Sequence, residues 1–487
     1  MTPVSGDTAL DSLHAEATDI FTGALEACNI ESAFDRRIRF EGNMLHRLLP
    51  DGSGPDRINL SQYKRVFVIA LGKAAAPMLE VLLERMKRRK GVRGICCTKY
   101  PPKKRNWRIR YFEGGHPLPN EDSFAAAKAT LALLKKARKD TIVFFLISGG
   151  GSAMFDLPID PQITLAETMA FHEALVASGA PINEINTLRK HFSAVKGGRL
   201  AMAAPDAMKV SLLLPDVPLR SLDALSSGPS TPDHSTVEDV RAVLAKYDLT
   251  RKLPPKVAEF FERADLPESP GNKSRLTGFL PRLPRPGYLS QPRTMTTAAA
   301  LSGESEAFRN SVFEVLLSTH DLVENARSRA QKAGFFVAVD NSCDDWDYAD
   351  AARYLLARFH ELRAHHTRLC LISVGEVTVT MDRTPGAGGR NQQFTLACAA
   401  DLARYPGKRL TVLSAGSDGI DGNTKNAGAI ADPTTADRAR VFGFSPEEAL
   451  RTFNTCPLFT ALGDAVVTGP TDHNLRDLRL LIAEENS

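Results

Sequence analysis

Residues 141–152 read TIVFFLISGGGS, an uninterrupted apolar run of strand length that ends in three glycines flanked by serines. Apolar residues without polar alternation are typical of a strand covered on both faces, as in a parallel sheet. Three consecutive glycines cost conformational entropy and contribute no packing, so close approach of the backbone to an anion explains them better than a tight turn. The stretch therefore predicts a buried parallel strand with an anion-binding loop at its carboxyl end.

The same order of strand, turn and helix recurs along the chain. RVFVIAL at 65–71 precedes Gly72-Lys73, and MKVSLLL at 208–214 precedes Pro215-Asp216. Two helix starts resemble capping boxes, TLAE at 164–167 and STVE at 235–238. Strands that alternate with helices indicate βαβ units and an α/β fold. We expect further strands at 312–318, 335–339, 368–374, 376–381 and 410–415, the runs on either side of Gly375 making the second sheet mixed.

Residues 267–293 interrupt this rhythm with six prolines and five basic residues. Proline fixes φ and removes a backbone donor, so the segment continues neither a helix nor a central strand. We expect a linker or surface excursion, with a basic docking segment as the alternative. The sequence thus predicts an N-terminal domain at 13–266, a linker or excursion at 267–311, and a C-terminal α/β region at 312–484.

Composition narrows the class of protein. The 487 residues include 61 basic and 57 acidic ones, a net charge of +4, whereas a dedicated nucleic-acid binder usually concentrates a basic excess on one face. No apolar run approaches the roughly 20 residues of a membrane-spanning helix. The first residues lack a basic leader, and the seven cysteines form no CxxC pair. We expect a cytoplasmic protein, monomeric or homodimeric, that binds neither membranes nor nucleic acid.

Familiar nucleotide motifs are absent, but other loops offer anion sites. GxxxxGK[ST] does not occur, and GAGGRN at 386–391 lacks the third glycine of GxGxxG. GAGGRN nevertheless joins flexible backbone and an arginine to a predicted helix start, features that suit phosphate or carboxylate. SAGSDGIDG at 414–422 and Pro215-Asp216 add carboxylates, which near phosphate loops suggest hydrated Mg2+. For Asp421-Gly422 alone, an ordinary turn is the simpler interpretation.

Eight segments, taken together and in order, are more specific than any single glycine loop. They are ALGKAAAPM (70–78), EGGHPLPNE (113–121), LISGGGSA (146–153), INEINTLRKHFSAVKGGRLA (182–201), SSGPSTPD (226–233), GAGGRNQQ (386–393), SAGSDGIDGNTKNAGAI (414–430) and TGPTDHNLRDL (468–478). The set resembles the class II glycerate kinases, which are glycerate 2-kinases with a C-terminal MOFRL-type domain. The resemblance implies ATP-dependent phosphorylation of D-glycerate to 2-phosphoglycerate with a divalent cation.

The resemblance also implies a fold and a set of site residues. The fold is α/β, with a larger Rossmann-like parallel-sheet domain, a smaller mixed-sheet α/β domain that includes the MOFRL-type domain from about residue 366, and the active site in the cleft between them. By position, Lys73 and Arg390 correspond to the charged catalytic pair. We assign Asp216 to orienting the attacking hydroxyl or to Mg2+, with Glu376 and Asp418 as further Mg2+ ligands. The expected ATP-binding residues are Ser148, Gly149, Gly150, Gly151, Ser152, Gly388, Gly389 and Asn391, and the expected substrate-binding residues are Asn186, Arg189 and Lys190.

Three segments depart from the family pattern. PDVPLR at 215–220 stands where the family usually has SDVxGD, SVGEV at 373–377 where it has SGGET, and FNTCPLF at 453–459 where an HNDSxTFF-like stretch is common. These changes indicate either a substrate preference different from that of the family or a reduced activity. The alternative to an active kinase is therefore a weakened or non-catalytic protein that binds a metabolite or nucleotide. Hydroxypyruvate reduction, a label this family has sometimes carried, is less favoured because a dinucleotide fingerprint is lacking.

Overall fold

The computed structural model describes residues 8–48, 55–86, 89–270, 308, 310–381, 384–405, 407–471 and 474–484. The chain divides into two compact units. We call Ile30–Leu316 the parallel-sheet unit, and Met1–Asn29 with Leu317–Ser487 the mixed-sheet unit. Most of the expected linker, residues 271–307 and 309, lies outside the described residues, and the domain boundaries expected from the sequence stay predictions.

Six parallel strands form the main sheet of the parallel-sheet unit. They are β4 (Arg65–Leu71), β5 (Val92–Thr98), β6 (Ile109–Glu113), β7 (Thr141–Ser148), β8 (Met208–Leu214) and β9 (Ser311–Val315), after a small antiparallel sheet of β1 (Ile38–Glu41), β2 (Met44–Leu48) and β3 (Pro55–Asn59). The spatial order is β6-β5-β4-β7-β8-β9, and every pairing is parallel. All eight residues of β7 are buried. The buried parallel strand predicted from residues 141–152 is confirmed.

The helices of this unit begin largely where the sequence indicates. Thr164 Oγ1 accepts from the N–H of Glu167 at 3.2 Å, and the Glu167 carboxylate accepts from the N–H of Thr164 at 2.7 Å, so the first predicted capping box is confirmed. The second prediction is wrong by one residue, because Ser235 donates to Asp233 and Thr236 forms the box. The helices are Ile30–Arg37, Ala75–Arg85, Glu121–Leu134, Gly151–Met154, Leu165–Ala177, Ile182–Phe192, Arg199–Met202, Val237–Lys246 and Pro255–Glu262, with 3-10 turns at Leu60–Gln62 and Leu219–Ser227.

A second six-stranded sheet organises the mixed-sheet unit. Its strands are β10 (Phe336–Val339), β11 (Arg368–Val374), β12 (Arg409–Gly416), β13 (Gly428–Ala431), β14 (Ala465–Val466) and β15 (Asp477–Glu484), in the order β10-β11-β15-β12-β13-β14. Its helices are Thr8–Ala27, Thr319–Lys332, Tyr348–Arg363, Arg390–Leu402, Thr435–Val441, Pro446–Arg451 and Cys456–Leu462. Among the described residues, no helix combines the length and apolar character needed to cross a membrane.

The mixed sheet is confirmed, but it arises differently from the prediction. The strand expected at 376–381 is wrong, since this stretch contributes only an isolated bridge between Asp347 and Thr378. The last chain segment, β15, instead lies antiparallel between β11 and β12, with Leu478 opposite both Val374 and Ala415. The strand expected at 312–318 pairs as β9 with β8 in the parallel sheet. Short apolar runs identify strands but do not specify which sheet receives them.

A buried ionic network centres on Asp156, shortly after the glycine loop. Its carboxylate lies 2.5 Å from Lys196 Nζ, 2.8 Å from His172 Nε2 and 2.6 Å from Ser193 Oγ. Burial raises the pKa of Asp156, but the charge of Lys196 and the His172 contact outweigh it and hold the pKa well below its usual range. Burial lowers the pKa of Lys196 to about 8 against the opposing effect of Asp156. Each ion therefore depends on the other for its charge.

Asp156→Asn is expected to destabilise the protein strongly, because it leaves the Lys196 ammonium buried without its counter-charge. Breaking one side of such a pair costs about 3–5 kcal/mol. Urea denaturation measures the loss, and Asp156→Asn combined with Lys196→Met should recover part of it. Glu184→Gln, which removes a more exposed pair with Lys246 (2.8 Å), is the control and should leave the urea midpoint nearly unchanged. A wild-type midpoint in Asp156→Asn would contradict this role of the network.

Candidate active site

The parallel sheet brings the glycine loop at 148–152 and Lys73 together, because both follow the carboxyl ends of neighbouring strands. The N–H of Lys73 donates to the carbonyl of Gly149 at 2.9 Å, and the N–H of Ala74 donates to Ser148 Oγ at 3.0 Å. Gly150 has φ +84°, a left-handed conformation that favours glycine. Its N–H has no hydrogen-bond partner among the described residues. The loop thus presents a backbone donor for an anion at the sheet edge.

Ser226 and Ser227 hold this loop from a strained backbone. Their φ values are +51° and +60°, a left-handed region that costs a non-glycine residue on the order of 1–3 kcal/mol. Ser226 Oγ donates to the carbonyl of Ser148 at 2.7 Å and accepts from the N–H of Gly151 at 3.1 Å. The loop is therefore fixed by side-chain hydrogen bonds as well as by its own turn.

Asn186 is joined to the glycine loop through Ser227. The hydroxyls of Ser227 and Ser152 lie 2.8 Å apart, and Ser227 also donates to Asn186 Oδ1 at 3.3 Å. Asn186 is buried in the helix Ile182–Phe192. Arg189 lies three residues further on, and residues at that spacing share one face of a helix. The helix thus connects the expected substrate residues to the expected phosphate loop.

Arg189 and Lys190 differ in what surrounds their charges. Lys190 Nζ contacts Asp223 at 2.8 Å and Asp233 at 3.1 Å, and although burial lowers its pKa, these carboxylates outweigh burial and raise it. Nε of Arg189 is buried and has no hydrogen-bond partner among the described residues. Burial lowers the pKa of Arg189, opposed only by the field of Asp156. A guanidinium without a bonded counter-ion inside the protein is a candidate for an anionic ligand group.

Lys73 has an unexpected neighbour in His116, which follows β6. A Cβ at Gly150 would lie 3.2 Å from Lys73 Cγ and 3.3 Å from His116 Cδ2, so both side chains border the same glycine. Burial, with the charges of Lys73 and Lys99, lowers the pKa of His116 to about 4. The imidazole is therefore neutral at neutral pH. The Lys73 ammonium is exposed and contacts no carboxylate in the described part of the chain.

Arg390 is held by carboxylates at the carboxyl ends of β11 and β12. It contacts Asp477 at 2.5 Å and 3.1 Å and Glu376 at 2.8 Å. Because β15 runs antiparallel, Asp477 at its start reaches the same edge as Glu376. Burial lowers the pKa of Arg390, but Asp477 and Glu376 outweigh it and raise the pKa further. This guanidinium is permanently charged and fixed in place.

The helix start beside Arg390 is filled by a carboxylate of the chain itself. Asp421 accepts from the N–H of Asn391 at 3.0 Å and of Gln392 at 2.9 Å, while the N–H of Gly388 donates to Asn423 at 3.0 Å. Asp421 is buried, which raises its pKa to about 6 against the opposing backbone hydrogen bonds. The GAGGRN amides expected to bind phosphate are thus largely used within the unit. Gly389 packs directly against Asp421.

The three expected Mg2+ ligands occupy different settings. Asp216 borders the glycine loop so closely that a methyl group at Gly149 would overlap its carboxylate. Glu376 contacts Arg390, and Asp418 Oδ1 accepts from the N–H of Ile420 at 3.1 Å. Asp216 belongs to the parallel-sheet unit, and the other two belong to the mixed-sheet unit. Within the described residues, no group of three or more His, Cys, Asp or Glu side chains is arranged to hold a metal.

Sequence reasoning missed three residues of these sites. His116 lies inside the matched segment EGGHPLPNE, and Asp477 lies inside TGPTDHNLRDL, but the sequence pattern assigns a role to neither residue. Asp421 does begin a turn, since its carbonyl accepts from the N–H of Thr424 at 3.2 Å, but the sequence does not show that its carboxylate also caps a helix. A signal for Asp421 was present, since the predicted helix after GAGGRN lacks a serine, threonine or acidic N-cap of its own.

Asp421→Asn is expected to remove a pH dependence of stability. Because the pKa of Asp421 is raised to about 6, the folded state binds its proton more tightly than the unfolded chain does, and the wild type loses stability as pH rises through about 4 to 6. Asparagine does not ionise, so the variant should lose less stability than the wild type between about pH 4 and pH 6. Urea midpoints at both ends of the range measure the difference. Asp437→Asn, at an exposed site, is the control and should show the same pH dependence of stability as the wild type. If Asp421→Asn also shows the wild-type pH dependence, the raised pKa assigned to Asp421 is contradicted.

Comparison with known proteins identifies the family. Residues 16–262 match a domain of unknown function (DUF4147), and residues 369–477 match the MOFRL family. The chain is 32% identical over 427 residues to a glycerate 2-kinase of Pyrococcus horikoshii, with 86% of this chain and 87% of that protein covered. It is 31% identical over 439 residues to a D-glycerate 2-kinase of Thermotoga maritima, with 89% and 94% covered.

The solved structures agree with the sequence comparison. The crystal structure of a glycerate kinase from Thermotoga maritima matches with a TM-score of 0.75 at 29% identity and covers 97% of this chain and 100% of that one. The resemblance drawn from the eight sequence segments is therefore confirmed. The chain belongs to the glycerate kinase family with a C-terminal MOFRL domain.

Proposed function

We propose that this protein transfers the γ-phosphoryl group of ATP to D-glycerate and forms 2-phosphoglycerate, with Mg2+ as the metal. One observation carries the proposal beyond family membership. Lys73 and Arg189 are cations without a bonded carboxylate in the described part of the chain. Lys73 borders a glycine loop with an unbonded N–H, and Arg189 lies on the helix whose Asn186 is joined to that loop through Ser227. Phosphoryl transfer depends mainly on positioning and on neutralising charge, which such groups supply.

The glycerate carboxylate is assigned to Arg189. A guanidinium can hold a carboxylate with two parallel hydrogen bonds, and the buried, unsatisfied Nε of Arg189 favours such a partner. Asn186, on the same helix face, is oriented by Ser227. Lys190 contributes less directly, because Asp223 and Asp233 already bind its ammonium. Its role is to hold the helix Ile182–Phe192 against the segments that carry these carboxylates.

The phosphate groups of the nucleotide are assigned to residues 148–152 and Lys73. The loop offers the N–H of Gly150, and Lys73 places a flexible ammonium beside it. The hydroxyl of Ser148 instead fixes the loop, because it accepts from the N–H of Ala74 and donates to the carbonyl of Leu71, and Ser152 is paired with Ser227. Residues 386–391 are proposed to position Arg390 instead, since Asp421 and Asn423 already accept their N–H groups.

Arg390 is proposed to stabilise the charge that develops on the transferred phosphoryl group. Asp477 and Glu376 bind part of the guanidinium, and the five N–H donors of an arginine leave others for phosphoryl oxygens. A cation fixed before the substrate binds needs no reorganisation during the reaction. That Lys73 and Arg390 serve one transfer in a shared cleft stays a prediction from the family resemblance.

The residues around the glycine loop fit a Mg2+ ion held mainly by phosphate oxygens. Mg2+ commonly takes one or two carboxylates and completes its shell with phosphate and water, and Asp216 supplies a carboxylate against Gly149. When bound, the ion neutralises charge on the phosphates. Glu376 is less suited to this role, because Arg390 already binds its carboxylate.

The altered segments retain the acidic groups of the site. Asp216, in PDVPLR, borders the glycine loop, and Glu376, in SVGEV, contacts Arg390. These contacts favour an active enzyme over a protein that only binds a metabolite or nucleotide. Coupled detection of ADP with D-glycerate, ATP and Mg2+ tests the proposal, and binding without turnover of any small hydroxy acid would support the non-catalytic alternative.

Lys73→Ala and Arg390→Ala are each expected to lower kcat by at least about tenfold, or 1.4 kcal/mol of transition-state stabilisation. The reason is loss of a positive charge from the transferred phosphoryl group. Coupled ADP release measures both rates. Lys139→Ala and Arg404→Ala, at exposed sites, are the controls and should retain the wild-type rate. Wild-type rates in both Lys73→Ala and Arg390→Ala would place the reaction elsewhere in the protein.

Arg189→Gln is expected to raise the KM for D-glycerate by at least about tenfold while leaving the KM for ATP nearly unchanged, because it removes a charged hydrogen bond to the carboxylate. Initial rates at varied concentrations of each substrate separate the two constants. The exposed Arg241→Gln serves as the control. If only the KM for ATP rises, Arg189 binds the nucleotide and not the glycerate carboxylate.

A further inference from the structure

His116 occupies a position at the site to which the sequence comparison assigns no role. It follows the edge strand β6 and, with the stem of Lys73, lines the space that a side chain at Gly150 would occupy. The carboxyl ends of β4, β6 and β7 lie on the same edge of the parallel sheet. The imidazole is therefore placed beside the loop and the lysine assigned to phosphate.

The hydrogen bonding of His116 differs from that of the buried histidines in the same unit. His172 contacts Asp156 at 2.8 Å, and His191 contacts the carbonyl of Pro267 at 3.1 Å, so both rings are held by protein groups. Neither ring nitrogen of His116 has a hydrogen-bond partner among the described residues, although the side chain is half-buried. A half-buried imidazole with no partner in the protein is available to water or to a ligand.

Burial and the nearby charges keep the ring of His116 neutral. Burial lowers the pKa of His116, and the charges of Lys73 and Lys99 lower it further. Two acidic groups on neighbouring segments face other partners: Asp122, at the start of the next helix, accepts from the N–H of Glu113, and Asp216 lies against Gly149. A neutral imidazole carries one nitrogen lone pair that can accept a proton. The site thus contains an uncharged base next to a cation.

We propose that His116 is a catalytic residue that accepts the proton of the attacking hydroxyl of the hydroxy-acid substrate, an inference that rests on the proposed phosphoryl transfer. The hydroxyl oxygen forms a bond to the γ-phosphorus of the nucleoside triphosphate. The bond from that phosphorus to the oxygen of the departing nucleoside diphosphate breaks, and the oxygen keeps the electron pair. The hydroxyl proton moves to the ring nitrogen, so the imidazole becomes an imidazolium and the charges balance.

Substrate binding strengthens His116 as a base. In the protein without ligand, Lys73 helps to hold the pKa of His116 at about 4. Phosphate oxygens that bind Lys73 offset its charge and raise that pKa, bringing it closer to the working pH, where general bases are most effective. The same step ties proton acceptance to the presence of the nucleotide.

The first test replaces the ring in the full-length protein. We expect His116→Gln to lower kcat by about a hundredfold or more with a small change in both KM values, since general-base catalysis typically contributes 10²–10⁴-fold. Circular dichroism checks that the variant folds. A folded variant with kcat within about threefold of the wild type would overturn the proposal.

The second test changes the field at His116 and leaves the ring intact. Lys99→Gln removes a positive charge, raises the pKa of His116, and should move the acid limb of the kcat profile to higher pH by about half a unit. Lys103→Gln, on the same exposed loop, is the control and should leave the limb in place. An unmoved limb in Lys99→Gln would overturn the proposal even if His116→Gln fails to fold.

The two tests also separate this inference from the proposed function. If the wild type releases no ADP with any small hydroxy acid, the proposed function itself is wrong and the role of His116 falls with it. If the wild type phosphorylates its substrate but the acid limb of the kcat profile does not move in Lys99→Gln, the proposed function stands. Only the role of His116 is then overturned.

Discussion

The absence of side chains at positions 149 and 150 is the constraint on which the parallel-sheet site depends. Asp216 lies where a methyl group at Gly149 would be, and Lys73 and His116 close in around the space at Gly150. Any larger residue would displace the Asp216 carboxylate, the His116 imidazole or the Lys73 side chain, which the strand ends otherwise bring together. The entropic cost of three glycines is thus offset by the convergence of reactive groups from β4, β6, β7 and β8.

The two units hold their principal cations in opposite ways. In the parallel-sheet unit, Lys73 and Arg189 lack bonded counter-ions in the described part of the chain, so an anionic substrate would satisfy them. In the mixed-sheet unit, Arg390 is already bound by Asp477 and Glu376. The first arrangement favours substrate binding. The second holds a positive charge in a fixed position, as the role proposed for Arg390 requires, but attracts a free ligand less strongly.

Much of the fold could be predicted because its strands carry local signals. The boundaries of β4, β8 and β11 match apolar runs residue for residue, and the continuous apolar character of β7 predicts burial on both faces. The pairing of β15 could not be predicted, since a strand near the end of the chain can join several sheet positions with equal local propensity. Local propensity also predicts a strand at residues 376–381, although the folded chain does not pair them in a sheet.

For the site, sequence reasoning located the loops better than the contacts within them. Asn391 and Gly388 stand in a loop suited to phosphate, but Asp421 and Asn423, about 30 residues away in sequence, use its N–H groups. Lys190 follows a substrate-binding pattern, but Asp223 and Asp233 bind its charge. These partners come from distant segments of the sequence. Only the folded structure therefore shows which cations are already bound by carboxylates of the protein and which are available to a ligand.

The central claim is that the cations around the glycine loop serve phosphoryl transfer to a small hydroxy acid. Phosphorus-31 NMR of the wild-type protein with D-glycerate, ATP and Mg2+ tests it most directly, because the spectrum identifies the product as well as its amount. We expect the resonance of 2-phosphoglycerate to grow as ATP is converted to ADP in equal amounts. ATP that remains intact, or that is hydrolysed to free phosphate with no phosphorylated glycerate, would contradict the account.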